Sequence, residues 1–251
     1  MVSCTLAGGL GNYLFQIAAA HCVAVKNNDV SMFDFDSSIR VHRSIKVYQD
    51  NILRNVKVGM PILKVQYDEP SFAYNELPYQ EGMLLNGYFQ SEKYLNRSLV
   101  LDLYSIDDVS KKYIHEKYGN NFDKSVSIHI RRGDYLQRQD RHPVQSIDYY
   151  KNAIEYFDKS KKFYILSDDI EWCKLHFKGD QFKFIENEKD YIDLWIMSLC
   201  EHNIIANSSF SWWGAWLNQN PNKIVIAPKN WFGPKKKLDD KDLVPSRWTK
   251  I

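Results

Sequence analysis

An excess of charge of one sign is missing from this sequence: 33 basic residues stand against 31 acidic, for a formal net charge of +2. Such a balance produces no whole-molecule field for nucleic acid, so any anion site must be assembled locally from a few side chains. Cysteine is also scarce. Cys4, Cys22, Cys173 and Cys200 show neither metal-ligand nor disulfide-framework spacing, so a reduced, cytoplasmic chain is expected. No stretch approaches the roughly 18 apolar residues of a membrane span. The first residues place no basic segment ahead of an apolar one, so no signal peptide is expected and the sequons at Asn96 and Asn207 are coincidental. Internal repeats and low-complexity tracts are missing as well.

What is present is an alternation of strand and helix patterns. Val2–Ala7 is short and apolar, and Gly8, Gly9 and Gly11 break it. Asn12 is placed to cap a helix in which Leu14, Ile17, Ala18, His21 and Val25 recur at helical spacing, and Val30–Phe35 reads as a second strand. The middle, from about 37 to 118, is broken by Pro61, Pro70 and Pro78. Its best strand is Met83–Phe89, and Ile106–Tyr118 reads as a helix ending at Gly119. The rhythm is clearest beyond residue 120. Strands are predicted at 126–130, 163–166, 182–185, 204–206 and 224–227, with helices near 147–159, 170–177, 190–201 and 210–218. Two α/β domains, 1–120 and 121–251, are therefore expected to face a cleft, with ligands at the carboxyl ends of parallel strands.

Three motifs follow strands. In Ser127-Ile128-His129-Ile130-Arg131-Arg132-Gly133-Asp134, adjacent arginines can grip a diphosphate bidentately, and Asp134 can orient one of them. The plain alternative is a surface ion cluster. In the second motif, Asn207, Ser208, Ser209, Phe210 and Ser211 open a helix that carries Trp212, Trp213 and Trp216. Amides and hydroxyls at such a start suit an anion, while Asn207 or Ser208 is equally placed to act as a simple cap. The third, Gly8-Gly9-Leu10-Gly11-Asn12, lets a ligand approach the backbone, but fits neither a dinucleotide fingerprint nor a Walker loop.

The acidic features are weaker. Asp34-Phe35-Asp36 has the form of a divalent-metal pair, set against chance carboxylates at a strand end. Ser167-Asp168-Asp169 reads as a helix cap. Asp193 could reach a nucleotide base, or simply lie on a solvated helix face. Lys235-Lys236-Lys237 reads as a solvated run that could also touch an anionic membrane surface.

Taken together, the three motifs resemble those of the α-1,2-fucosyltransferase family. The similarity extends to 86–94 (Asn-Gly-Tyr-Phe-Gln-Ser-Glu-Lys-Tyr), Leu166–Asp169 and Ala227–Phe232, and so spans most of the chain. The resemblance implies a GT-B-type α/β fold of two Rossmann-like doubly wound domains, with the donor on the C-terminal side and the acceptor on the N-terminal side. It also implies inverting, metal-independent transfer of L-fucose from GDP-fucose to a galactose-containing glycan, with no cofactor. Carried over, Arg131 and Arg132 bind the diphosphate, and Asn12 lies near the sugar–phosphate junction. Gly9, Gly11, His129, Asp134, Asp168, Asp193, Asn207, Ser208, Ser209, Phe210 and Ser211 complete the donor site. The family turn continues Asn-Gln-Met-Phe-Gln, where this chain has Asn12-Tyr13-Leu14-Phe15-Gln16, a departure that bears on sugar or acceptor preference.

The catalytic base is sought among Asp140, His142 and Asp36, with Asp140 favoured and the leaving phosphate as a further acceptor of the proton. Rival readings are transfer of another nucleotide-activated sugar and a lectin-like glycan-binding module. The expected partners are a nucleotide-sugar donor and a glycan, not nucleic acid. The expected location is cytoplasmic, either free or peripheral at a membrane.

Overall fold

The computed structural model describes residues 1–37 and 44–251. The chain forms two compact units: Met1–Asp107 with Leu238–Pro245, and Asp108–Lys237 with Ser246–Ile251. The junction therefore precedes the helix 108–118 instead of following it near residue 120.

The first unit carries a three-stranded parallel sheet of β1 (Val2–Cys4), β2 (Val65–Asp68) and β3 (Met83–Asn86), in the order β1-β3-β2. β2 escaped the sequence reading because Val-Gln-Tyr-Asp is half-buried at most and polar at alternate positions, an edge-strand pattern with little hydrophobic signal. Helix α1 (Leu10–Lys26) is buried on nearly all sides, as expected of a helix enclosed by its unit. It starts three residues earlier than predicted. Gly9 is the N-cap, and the amides of Asn12 and Tyr13 donate to its carbonyl at 2.9 and 3.1 Å, so Asn12 is not the cap.

The strand expected at Val30–Phe35 is also revised. Alternation holds, with Ser31, Phe33 and Phe35 inward, but the backbone pairs only singly, Ser31 with Val2 and Phe33 with Val58. The two partners lie on opposite edges, Val2 bonded through residues 30 and 32 and the 57–59 segment through Phe33, and neither pairing extends beyond one bridge. Helix α2 (Arg97–Leu103) is capped by Asn96, whose side chain accepts from the Leu99 amide. The returning segment 238–245 is fastened within this unit by Asp242, which takes the Tyr74 amide at 3.0 Å and Lys93 Nζ at 2.5 Å.

In the second unit, six parallel strands run in the order β6-β5-β4-β7-β8-β9: β4 (Ser125–Ile130), β5 (Lys162–Ser167), β6 (Phe182–Phe184), β7 (His202–Ile204), β8 (Val225–Ala227) and β9 (Thr249–Lys250). The connecting helices are α3 (Asp108–Tyr118), α4 (Ile147–Ile154), α5 (Ile170–His176), α6 (Asp190–Leu199) and α7 (Ser209–Leu217). Gly119, at φ +87°, terminates α3 in a conformation that glycine adopts without strain.

Every residue of β4 is buried. On one face Val126, Ile128 and Ile130 join Tyr149, Tyr150 and Ala153 of α4 and Cys173 of α5 in the core. On the other, Ser127 accepts from Asn203 Nδ2 at 2.8 Å, which also donates to the Met197 carbonyl of α6 at 2.7 Å. Close approach of α7 to α6 depends on Gly214, where a Cβ would collide with Met197. Trp212, Trp213 and Trp216 fill the core beside α7, Trp212 lying 5.4 Å from Trp248. No helix among the described residues is long and apolar enough to cross a membrane.

Candidate active site

Strand order selects the place to look. Starting from β4 the chain adds β5 and β6 on one side, then returns to add β7, β8 and β9 on the other. The reversal lies between β4 and β7, and ligands of open parallel sheets sit at the carboxyl ends of strands at such a point. Arg131 and Arg132 leave the end of β4. Ile205 to Ser208 leave the end of β7 and lead into α7.

The arginines are held by three carboxylates. Arg131 Nη2 donates to Asp134 at 2.6 Å and its Nη1 lies 3.1 Å from Asp168. The Arg132 amide donates to Asp168 at 2.8 Å, and Arg132 Nε to Asp169 at 2.9 Å. The Arg132 guanidinium also lies over the Trp172 ring, 4.1 Å from its centre, which fixes its plane. Asp169 doubles as the cap of α5, accepting from the Trp172 amide. The cap reading of Ser167–Asp169 is thus realised by Asp169, while Asp168 and Asp169 also hold the arginines, a role the sequence suggested only for Asp134. Gly133 is required here, since a Cβ would run into the Asp168 carboxylate. With Nε of Arg132 engaged and its plane fixed, its terminal nitrogens are the donors left for an anion.

Across the switch point, Ser208 is the N-cap of α7 and its side chain makes no capping bond. Tyr135 ties the two sides, donating from its hydroxyl to the Asn207 carbonyl at 3.2 Å and lying 5.4 Å from the Arg131 guanidinium. Burial pushes the Tyr135 phenol up to about 12, so it stays a donor. Asn207 and Ser211 take other roles than expected. Asn207 donates to the carbonyls of Pro143 at 3.0 Å and Trp231 at 2.9 Å, and accepts from Gln145 at 3.1 Å. Ser211 is buried, with its hydroxyl on the Ala206 and Ser208 carbonyls. Both shape the strand–helix turn, and neither side chain is free to line a ligand. Phe210 packs beside His129, ring centres 5.3 Å apart. His129 is fully buried with Nδ1 unbonded; burial, then the Arg131 charge, pull it down to about 3, so it is neutral.

Asp193, in the first turn of α6, does not lie on a solvated face. Its Oδ1 is buried and unbonded, and burial, then Glu188 and Asp190, raise the carboxyl to about 8. A buried acid with an unused oxygen is ready for a ligand that brings its own donors.

The favoured base fares worse. Asp140 is exposed and ion-paired with Lys235 at 2.9 Å, which holds its carboxyl below the usual range. Its partner comes from the tail, where the Lys235 amide also donates to the Asp140 carbonyl at 2.9 Å. His142 stacks on Tyr135 at 5.0 Å and burial lowers it to about 4. Asp36 pairs with Lys46, and Asp34 accepts from the Asp36 amide at 2.8 Å. Among the described residues no group of three or more His, Cys, Asp or Glu side chains could hold a metal ion.

The first unit has its own carboxyl edge. Gly8, at φ +96°, lies against the Asn12 side chain, which accepts from Gln90 Nε2 at 2.9 Å. Gly9 caps α1, and Gly11 falls inside that helix instead of ahead of it. Gln16 is buried, accepting from the Ala7 amide and donating to the Gly87 carbonyl, both at 3.0 Å. Tyr13, the departure from the family turn, is fully buried in the core. Sequence reasoning missed Glu69. Its carboxylate takes the amides of Tyr88 at 2.7 Å and Phe89 at 3.0 Å, although burial raises its pKa. Gly87 makes room for it, and Phe89 sits at φ +52°. The one signal available was a carboxylate directly after an edge strand that was itself invisible.

An arginine cradle at the switch point of a doubly wound sheet is the equipment of an enzyme that holds a phosphorylated donor. The chain belongs to glycosyl transferase family 11, which it matches over residues 44–251. Its relatives include an alpha-1,2-colitosyltransferase of Escherichia coli, 33% identical over 100% of this chain and 99% of that protein. The O-antigen biosynthesis glycosyltransferase WbnK of E. coli is 31% identical over 92% and 95%. A galactoside 2-alpha-L-fucosyltransferase of Caenorhabditis elegans is 26% identical over 97% and 77%. Among solved structures, NodZ alpha-1,6-fucosyltransferase soaked with GDP-fucose superposes with a TM-score of 0.56 at 12% identity, covering 86% of this chain and 91% of that one. Fucosyltransferase NodZ from Bradyrhizobium gives 0.55 at 12% identity, covering 85% and 90%. The fold is GT-B, and the protein is a glycosyltransferase.

Proposed function

We propose that this enzyme transfers an L-fucose-type 6-deoxyhexose from a GDP-linked donor to a sugar hydroxyl, forming an α-1,2 linkage with inversion and without a metal ion. The observation that carries the reading is the Arg131–Arg132 cradle facing the uncapped start of α7 at the switch point. As the donor bond breaks, negative charge grows on the departing diphosphate. Preorganised guanidinium and amide donors stabilise that charge without reorganising, each worth about 10²–10³-fold in rate. The relatives named for α-1,2 transfer of colitose and of fucose support the sugar and the linkage. Phosphate stabilisation by arginine takes the place of a divalent cation, so transfer survives chelation by EDTA.

Asp193 is the group we assign to the base. Guanine presents an N1–H and an exocyclic amine side by side, which one ionised carboxylate accepts together. Asp140 is ion-paired with Lys235 and burial lowers His142 to about 4, so each is a weak base at neutral pH. With inversion the acceptor attacks from the face opposite the departing phosphate, so its proton passes to water as the new bond forms.

Two donors fit the comparisons: GDP-fucose and GDP-colitose, whose sugar is fucose without its 3-hydroxyl. The greater identity to the colitosyltransferase is the observation favouring the second. Incubating the enzyme with each donor and a panel of galactosides, then locating the new linkage by NMR, tests both. Turnover of UDP- or CMP-sugars in preference to either would remove the reading.

A further inference from the structure

Most exposed apolar side chains of the protein stand singly, as on any soluble surface. Between Lys57 and Lys64 four of them stand together. Val58, Met60, Ile62 and Leu63 are all exposed, Met60 to 85% and Ile62 to 73% of its area. The segment is firmly footed. The Phe33 amide donates to the Lys57 carbonyl at 3.0 Å, the Gly59 amide to the Phe33 carbonyl at 2.9 Å, and the Lys64 amide to the Gly82 carbonyl at 2.7 Å. Between these anchors no side chain offers a hydrogen bond, and Pro61 removes one backbone donor that an apolar medium would leave unsatisfied.

We propose that residues 57–64 form a docking loop that seats the first unit on an anionic phospholipid surface. Met60 and Ile62 enter the acyl boundary while the flanking lysines meet the headgroups. Lys57 has no acidic partner among the described residues, and Lys64 shares only an exposed pair with Glu81 at 3.0 Å, which contributes little. Apolar side chains flanked by lysine are the composition of an interfacial membrane segment. A protein interface would favour tryptophan, tyrosine or arginine at its centre and disfavour lysine, and none of those anchors occurs here. The run Lys235–Lys237, the other candidate for a membrane contact, has only Leu238 beside it in sequence as an exposed large apolar residue. Lys235 pairs with Asp140, and Lys236 lies half-buried 4.3 Å from the Phe232 ring centre. The inference does not depend on the identity of the donor.

Co-sedimentation of the full chain with vesicles decides it. The wild type should bind phosphatidylglycerol–phosphatidylcholine vesicles, more weakly at high salt, and bind pure phosphatidylcholine less. M60E/I62E should lose at least about tenfold in partitioning, from the lost apolar burial, with its Tm unchanged. K57E should weaken binding at low salt only. Failure of the wild type to bind, or equal binding by M60E/I62E, overturns the proposal. So does light scattering that shows a dimer which M60E/I62E converts to monomer, since the loop would then be an interface between copies.

Discussion

Two carboxyl edges of parallel sheet in this molecule are built from opposite chemistry. At the six-stranded sheet, Arg131 and Arg132 meet Asp134, Asp168 and Asp169, so ion pairs stand at the end of β4 beside the neutral hydrogen bonds of the β7–α7 turn. At the three-stranded sheet, the turns 8–12 and 86–90 are joined by the amides of Gln16 and Gln90, and the carboxylate of Glu69 is answered by backbone amides alone. Both sheets are parallel, but the groups gathered at their edges differ. Under the proposed function, the charged side chains serve the departing diphosphate and the amide clamps serve the acceptor edge. An ionic edge should carry rate, and an amide-clamped edge should carry local stability and acceptor fit.

The sharpest test removes an arginine. R131A or R132A should lower transfer by about 10²-fold or more while the Tm changes little, because a partly exposed arginine contributes mainly to transition-state charge. Normal turnover with a collapsed Tm would reverse the comparison.

Asp193 supplies a pH test of the same unit. Its folded value of about 8 lies above the ordinary 3.8, so without ligand the folded state holds a proton that the unfolded state lacks between those limits. Stability from this group falls as pH rises across that window. A bound guanine needs the ionised form, so GDP affinity measured by calorimetry should rise by up to about tenfold per pH unit toward pH 8, with proton release. D193N should abolish that slope. Affinity independent of pH in the wild type would remove the base assignment.

At the neutral edge, Q16A leaves the Ala7 amide and Gly87 carbonyl unpaired, at a cost of about 1–3 kcal/mol for each buried group. Chemical denaturation should show that loss, and steady-state kinetics should show a raised acceptor KM with donor KM nearly unchanged. The smallest effect is expected of D140N. Its solvent-facing pair with Lys235 contributes little, and transfer should change less than about twofold. A sharp fall in transfer with GDP binding preserved would restore Asp140 as the base.

Much of the donor edge was legible without coordinates. Helix and strand periods place Arg131 after β4 and Ser208 before α7, because those signals are local and repeat every two or 3.6 residues. The α/β class followed from the same patterns, whereas the GT-B fold was implied by the family resemblance and the arginine motif stood out by residue type. Other features depended on residues far apart in the chain. β2 is recognisable only beside β3, since an exposed edge strand carries no hydrophobic run. Glu69 acquires a role through amides twenty residues away, and Asp140 loses one to a lysine ninety-five residues on. Asn207 and Ser211, read as ligand groups, turned inward because the β7–α7 turn needed their hydrogen bonds. Side-chain type and spacing state what chemistry is available, but partners and burial settle whether it is spent on the fold or kept for a ligand, and only the folded chain brings those partners together.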